Sequence, residues 1–150
     1  MINRQAAEHD YIKCWNEFFF LPDVPEAIAR LNHAGYLVFV VTNQRGIARG
    51  LMSAADLQSI HEKMCAELQS RGAHIDGIYV CPHDIGQCHC RKPDIGLFIQ
   101  AEQDFQIDKS GSWMVGDSDS DVYAGNNYGV KTIQTTKLLE AVERILEEAR

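Results

Sequence analysis

Nowhere in the 150-residue chain does an apolar run approach the roughly 20 residues needed to span a bilayer, and the N-terminus lacks a basic-then-apolar leader pattern. These two absences predict a soluble, cytoplasmic protein. Positive charge is also scarce. The 14 Lys and Arg are outnumbered by 21 Asp and Glu, giving a formal charge of -7, which argues against a nucleic-acid partner or an anionic-membrane surface. A disulfide framework is not expected either. Five cysteines, an odd number, read in such a compartment as metal ligands and buried thiols, with Cys14 and Cys65 left as free thiols. There is no internal repeat, low-complexity tract or linker. With 45% hydrophobic residues, the chain is expected to form one domain over residues 1–150.

Against that background, residues 81–93 carry the densest chemistry. Cys81, His83, Cys88 and Cys90 form a C-x-H-x4-C-x-C array, followed at once by Arg91 and Lys92. Three thiolates and one imidazole are the soft tetrahedral set that closes a structural Zn2+ site. Such a knot would fix the two cations in space. The competing readings are a turn that happens to be rich in cysteine and a disulfide loop.

Strand and helix patterns alternate along the chain. Pro22-Asp23-Val24-Pro25 opens a helix capped by Asp23, with Val24, Ile28 and Leu31 on one face and Gly35 as its stop. Tyr36–Val41 is a continuous apolar, β-branched run, the pattern of a central parallel strand apolar on both faces. Ser53 and Asp56 form a capping box for a helix buried through Leu57, Ile60, Met64 and Leu68. Ile75–Val80 is the next strand. A helix beginning at Pro93-Asp94, a strand at Ser112–Val115, a helix over about 120–127, a strand at Val130–Gln134 and a final amphipathic helix complete the pattern. The fold class is α/β, an open parallel Rossmann-like sheet with helices on both faces.

Ligands of such sheets bind beyond the carboxyl ends of the strands. Thr42 and Asn43 follow the first of these strands, Lys92 the second, and Asp117 and Asp121 the third. A threonine hydroxyl and backbone amides can donate to phosphoryl oxygens, and a lysine supplies a point charge. Two carboxylates four residues apart can hold Mg2+ directly and through water. A local cluster of Arg45, Arg49, Arg91 and Lys92 suits a small phosphorylated ligand despite the acidic total. Taken singly, Thr42 reads as a strand-end residue, Lys92 as a solvated charge and the aspartates as a turn. Together they describe a phosphoryl-transfer cradle.

Thr42-Asn43 after a hydrophobic strand, Lys92-Pro93, and Gly116-Asp117-x-x-x-Asp121 resemble three motifs of the haloacid dehalogenase (HAD) superfamily of aspartate-nucleophile phosphatases. More narrowly, Phe20-Leu21-Pro22, Thr42-Asn43-Gln44-x-Gly46-Ile47-Ala48-Arg49-Gly50, Cys81-Pro82-His83, Cys88-x-Cys90-Arg91-Lys92-Pro93 and Ser112-Trp113-x-Val115-Gly116-Asp117 are similar to the D-glycero-D-manno-heptose 1,7-bisphosphate phosphatases. The related histidinol-phosphate phosphatases share the zinc loop. The resemblance implies a HAD-type sheet without a large cap domain, a catalytic Mg2+ and a structural Zn2+. It also implies a phosphorylated sugar substrate and a place in carbohydrate metabolism and lipopolysaccharide biosynthesis. Thr42 and Asn43 would bind the transferred phosphoryl group, Lys92 would stabilise the nucleophile and the phosphoryl charge, and Asp117 would ligate Mg2+. Arg91 and Arg49 would contact the rest of the substrate. Arg45 and Ser118 depart from the common pattern, which favours small and basic residues there.

The superfamily's nucleophile is an aspartate, with a second aspartate two residues on, at the end of a first hydrophobic strand. Met1-Ile2-Asn3 begins where the residue after that motif usually stands, and Asp10 follows polar residues rather than a strand. The expectation is a sheet lacking its first strand, with two inner edges unpaired and a groove in the core. A cost near the whole roughly 5–15 kcal/mol of domain stability would follow. A start codon assigned too late, a shortened chain, or a gap filled by another segment or chain would each account for it. The protein would then be a monomer, or an oligomer that fills the gap. A phosphate-binding domain without turnover and a zinc module are the alternatives to an active phosphatase.

Overall fold

The computed structural model describes residues 2, 20–44, 47, 50, 52–81 and 92–149. Its elements run α1 (Val24–His33), β1 (Phe39–Asn43), α2 (Ala54–Ser70), β2 (Gly77–Cys81), α3 (Gly96–Asp104), a 3-10 turn (Lys109–Gly111), β3 (Trp113–Gly116), α4 (Asp119–Tyr128), β4 (Lys131–Gln134) and α5 (Leu138–Glu148). Helices and strands alternate as expected, and the β1–β2 and β3–β4 pairings of the described residues are both parallel. The sheet is interrupted, in keeping with the expected gap. Among the described residues the strands form two separate pairs, β1–β2 and β3–β4.

The facing sides of these pairs border a cavity of about 870 Å³, lined by Val40 and Val41 of β1, Met114 and Val115 of β3, and Ile2. Close-packed interiors leave few voids larger than a water molecule, so a space of this size breaks the core into patches. It also explains why β1 is half-buried at all five positions rather than fully buried like a central strand. One patch packs α1 (Val24, Ala27, Ile28) against α2 (Met64, Leu68) and α5 (Leu138, Val142). Another joins Phe98 of α3, Met114 of β3, and Ala124 and Tyr128 of α4. There the rings of Phe98 and Tyr128 stack with centroids 4.9 Å apart.

Local chemistry sets the element limits. Ser53 and Asp56 do form the capping box that starts α2. Asp23 stands at the N-cap of α1 but in a left-handed backbone (φ 66°), where its side chain makes no cap bond, contrary to expectation. Strand β1 begins at Phe39, three residues later than its apolar run. Tyr36 N–H still donates to Leu31 of α1, and Val38 exchanges two bonds with Asp76, donating to its carboxylate and accepting from its N–H. Strand pairing starts only beyond that clasp and carries on to Thr42 and Asn43. Gly125 lets α4 lie directly on the second pair: a Cβ there would sit 2.8 Å from Met114 Cβ and 2.5 Å from Thr132 Cγ2. Among the described residues no helix is long and apolar enough to cross a membrane.

Candidate active site

Lys92 lies between β2 and α3 in the chain, and its side chain is only 12% exposed. The ammonium donates to the Val41 carbonyl on β1 at 3.2 Å and to Asp121 Oδ1 on α4. The lysine's backbone is held as well. Asn43 Oδ1 accepts from Lys92 N–H at 3.0 Å, and Asn43 Nδ2 donates to the Lys92 carbonyl at 3.4 Å. On the same strand end Gln44 Nε2 donates to Thr42 Oγ1 at 2.9 Å. A hydroxyl has one donor and two acceptor positions, so Thr42 keeps its own proton to give to another oxygen.

Asp121 is the one charged residue counted as buried among the described residues, at 6% exposure. Ser118 is the N-cap of α4, and its N–H and hydroxyl both donate to Asp121 Oδ2, at 3.2 and 2.9 Å. Burial pushes the carboxyl up; the Lys92 charge and the hydrogen bonds from Lys92 and Ser118 outweigh it and hold the group below the usual range. Gly116 makes this possible. A Cβ at that position would overlap Asp121 Oδ2, Cβ and Cγ, so only glycine lets the aspartate fold back over the end of β3. Asp117, half-buried, is the first residue past that strand.

Thr42, Asn43, Lys92, Asp117 and Asp121 all line the cavity between the two strand pairs. The remaining expected site residues, Arg49, Arg91, His83, Cys88 and Cys90, lie outside the described residues, as do Arg45 and Cys14. Of the proposed zinc set only Cys81 is described, as the fully buried last residue of β2. Among the described residues no three His, Cys, Asp or Glu side chains group around a potential metal position. Cys65 is a half-buried free thiol. Sequence reading passed over Gln44 and the anchoring role of Ser118. The second was readable: Ser118-x-x-Asp121 is the same capping signature as Ser53-x-x-Asp56. His61 of α2 also lines the cavity, and burial pushes its imidazole below the ordinary value.

Strand-end carboxylates beside a buried ammonium and an oriented hydroxyl can bind a phosphoryl group, with the cation opposing its charge. Comparison with known proteins agrees in kind. A HAD-hydrolase-like family model matches residues 89–143. The chain is 41% identical over 145 residues to the D-glycero-beta-D-manno-heptose-1,7-bisphosphate 7-phosphatase of Haemophilus ducreyi, covering 89% of this chain and 80% of that protein. It is 38% identical over 150 residues to the enzyme of the same name from Pasteurella multocida, covering 95% and 80%. The solved D,D-heptose 1,7-bisphosphate phosphatase of B. bronchiseptica, complexed with magnesium and phosphate, superposes with a TM-score of 0.84 at 30% identity, over 98% of this chain and 93% of that one. The chain belongs to the D-glycero-β-D-manno-heptose-1,7-bisphosphate 7-phosphatase family of HAD-like hydrolases.

Proposed function

We propose that the protein hydrolyses a phosphate monoester of a small sugar, D-glycero-β-D-manno-heptose 1,7-bisphosphate at its 7-phosphate, in the cytoplasm. The observation that carries this is the buried Lys92 ammonium, held between Val41 and Asp121 beside Thr42 and Asp117 in one cavity. Lys92 offsets phosphoryl charge, and Thr42, oriented by Gln44, donates its hydroxyl proton to a phosphoryl oxygen. Asp117 offers the hard oxygen that Mg2+ prefers, and that ion usually takes one or two carboxylates and completes its shell with phosphate and water. When bound, Mg2+ would neutralise charge on the phosphoryl oxygens. Asp121 serves Lys92 in this reading, with Lys92 on Oδ1 and Ser118 on Oδ2, and the acceptor site left on Oδ1 would support Mg2+ directly or through water. Cys81 would hold Zn2+ together with His83, Cys88 and Cys90, stiffening the segment that carries Arg91 and Lys92. Arg91 and Arg49 would contact the sugar and its second phosphate.

A binding domain without turnover is the second reading. It is favoured by the carboxylates that line the cavity among the described residues, Asp108, Asp117 and Asp121. Asp108 caps a 3-10 turn and Asp121 is paired, which among the described residues leaves no strand-borne nucleophile beside the proposed metal ligand. Inorganic phosphate release from the heptose bisphosphate and from histidinol phosphate, with and without Mg2+, separates the readings. Mg2+-dependent release favouring the heptose bisphosphate is expected. Binding of inorganic phosphate without release would select the binding domain, and neither release nor binding would sink both. Elemental analysis of the same preparation should find one zinc per chain.

A further inference from the structure

We infer that Asn43 is a positioning residue for Lys92 rather than a ligand of the phosphoryl group. The side-chain amide makes two reciprocal bonds to the Lys92 backbone, accepting from its N–H at 3.0 Å and donating to its carbonyl at 3.4 Å. One group engaging both the N–H and the C=O of a single residue is the pattern of a hydrogen-bonded pair in an antiparallel ladder, made here by a side chain across 49 residues of sequence. The lysine's other end returns to the same strand, where Nζ donates to Val41, two residues before Asn43. Main chain and ammonium are therefore both tied to the end of β1, and the intervening four-carbon stem spans two fixed points.

This geometry has a chemical purpose under the phosphoryl-transfer reading, on which the inference rests. An ammonium has three donors. Val41 and Asp121 engage two of them, which leaves the third for a ligand in the cavity that Lys92, Thr42 and Asp117 line. A point charge on a flexible stem is a poor electrostatic anchor unless its base is fixed, and small misplacements at reacting centres carry large rate and affinity losses. Lys92 follows directly on the cysteine-rich segment, and Asn43 ties its backbone to the sheet. With its Oδ1 and one Nδ2 proton committed to Lys92, Asn43 is poorly disposed to serve as a direct phosphoryl donor.

The test is a double-mutant cycle on the full chain, using inorganic phosphate with Mg2+ as the probe, combined with NMR of the Lys92 ammonium. Asn43→Ala should weaken phosphate binding by about 10- to 100-fold. In a Lys92→Met background the same change should cost less than about twofold, because a residue acting through Lys92 has nothing left to position. The slowly exchanging Lys92 NζH3+ resonance should broaden or vanish in Asn43→Ala and equally in Asn43→Ser, the second variant guarding against misfolding of the first. Additive losses in the cycle would overturn the inference by marking Asn43 as a direct contact. An unchanged ammonium resonance in both folded variants would overturn it whether or not phosphate binds. A resonance that responds to Asn43 in a chain without phosphate affinity would leave the clamp standing and remove the phosphoryl reading instead.

Discussion

Lys92 and Asp121 concentrate the energetic risk of the site into one ion pair, with side-chain exposures of 12% and 8%. Removing one member of a buried pair strands the other charge away from water, at a cost of about 3–5 kcal/mol. Lys92→Met and Asp121→Asn should each destabilise on that scale, and the double variant should recover part of the loss, as urea unfolding of the four proteins will show. Acid sensitivity follows from the same pair. Because Asp121 is held below its unfolded value of about 3.9, the native state binds its proton more weakly than the unfolded state, and the group stabilises the fold above that value. That contribution is lost as pH falls through the lowered native value. In Lys92→Met, burial is opposed only by the Ser118 hydrogen bonds and the carboxyl rises, so acid unfolding should begin at higher pH than in the parent. The five polar residues were legible as strand-end groups in the sequence. Their division of labour was not, since Lys92 meets Asp121 across 29 positions and Asn43 across 49, and nothing local encodes those pairings.

Elements were legible where their ends are set by neighbours in sequence. The Ser53–Asp56 box is such a case, and so is Gly129, which ends α4 in the left-handed conformation that glycine adopts without strain (φ 97°). They were displaced where a distant side chain decides. Asp76 delays β1, and α3 starts at Gly96 rather than Pro93-Asp94, since the Lys92-Pro93 segment is held by Asn43 and by Asn127, whose Nδ2 donates to the Pro93 carbonyl at 3.4 Å. Helix α3 is latched to its surroundings by two tyrosine–carboxylate bonds that no sequence pattern announces. Tyr79 of β2 donates to Asp104 at 2.9 Å, and Tyr128 of α4 donates to Glu102. Burial, the bond to Asp104 and that residue's charge push the Tyr79 hydroxyl up to about 12. A raised native value means the fold holds this proton more tightly than the unfolded chain. The stabilisation is complete below pH of about 10 and is lost as pH rises from there towards 12. Tyr79→Phe should therefore be less stable at pH 8 yet lose less stability between pH 9 and 12, measured by denaturant unfolding across that range.

At the scale of the whole molecule, the expectation of a groove between unpaired inner edges agrees with the described residues, where β1–β2 and β3–β4 face one cavity without a strand between them. The two pairs also divide the site. Thr42 and Asn43 belong to β1, while Asp117 and Asp121 follow β3, and Lys92 bridges them by donating to Val41 on one side and Asp121 on the other. A phosphate held by Thr42 and Lys92, with Mg2+ on Asp117, would add a second bridge across the same gap. A ligand that binds only the assembled state stabilises it by about 2.7 kcal/mol at a hundredfold excess over its Kd. For a domain of this size each kcal/mol raises Tm by about 2–4 °C, so saturating Mg2+ with inorganic phosphate should lift Tm by about 5–10 °C. Either component alone should do much less, because Asp117 by itself gives Mg2+ a single carboxylate and phosphate without Mg2+ faces the Asp117 charge directly. Lys92→Met should cut the combined shift sharply, while Tyr79→Phe, whose side chain is not among those lining the cavity, should preserve it. Equal shifts with phosphate alone and with the pair would mean that the two strand pairs are joined by the lysine cradle without the metal, and would remove Asp117 from its proposed role.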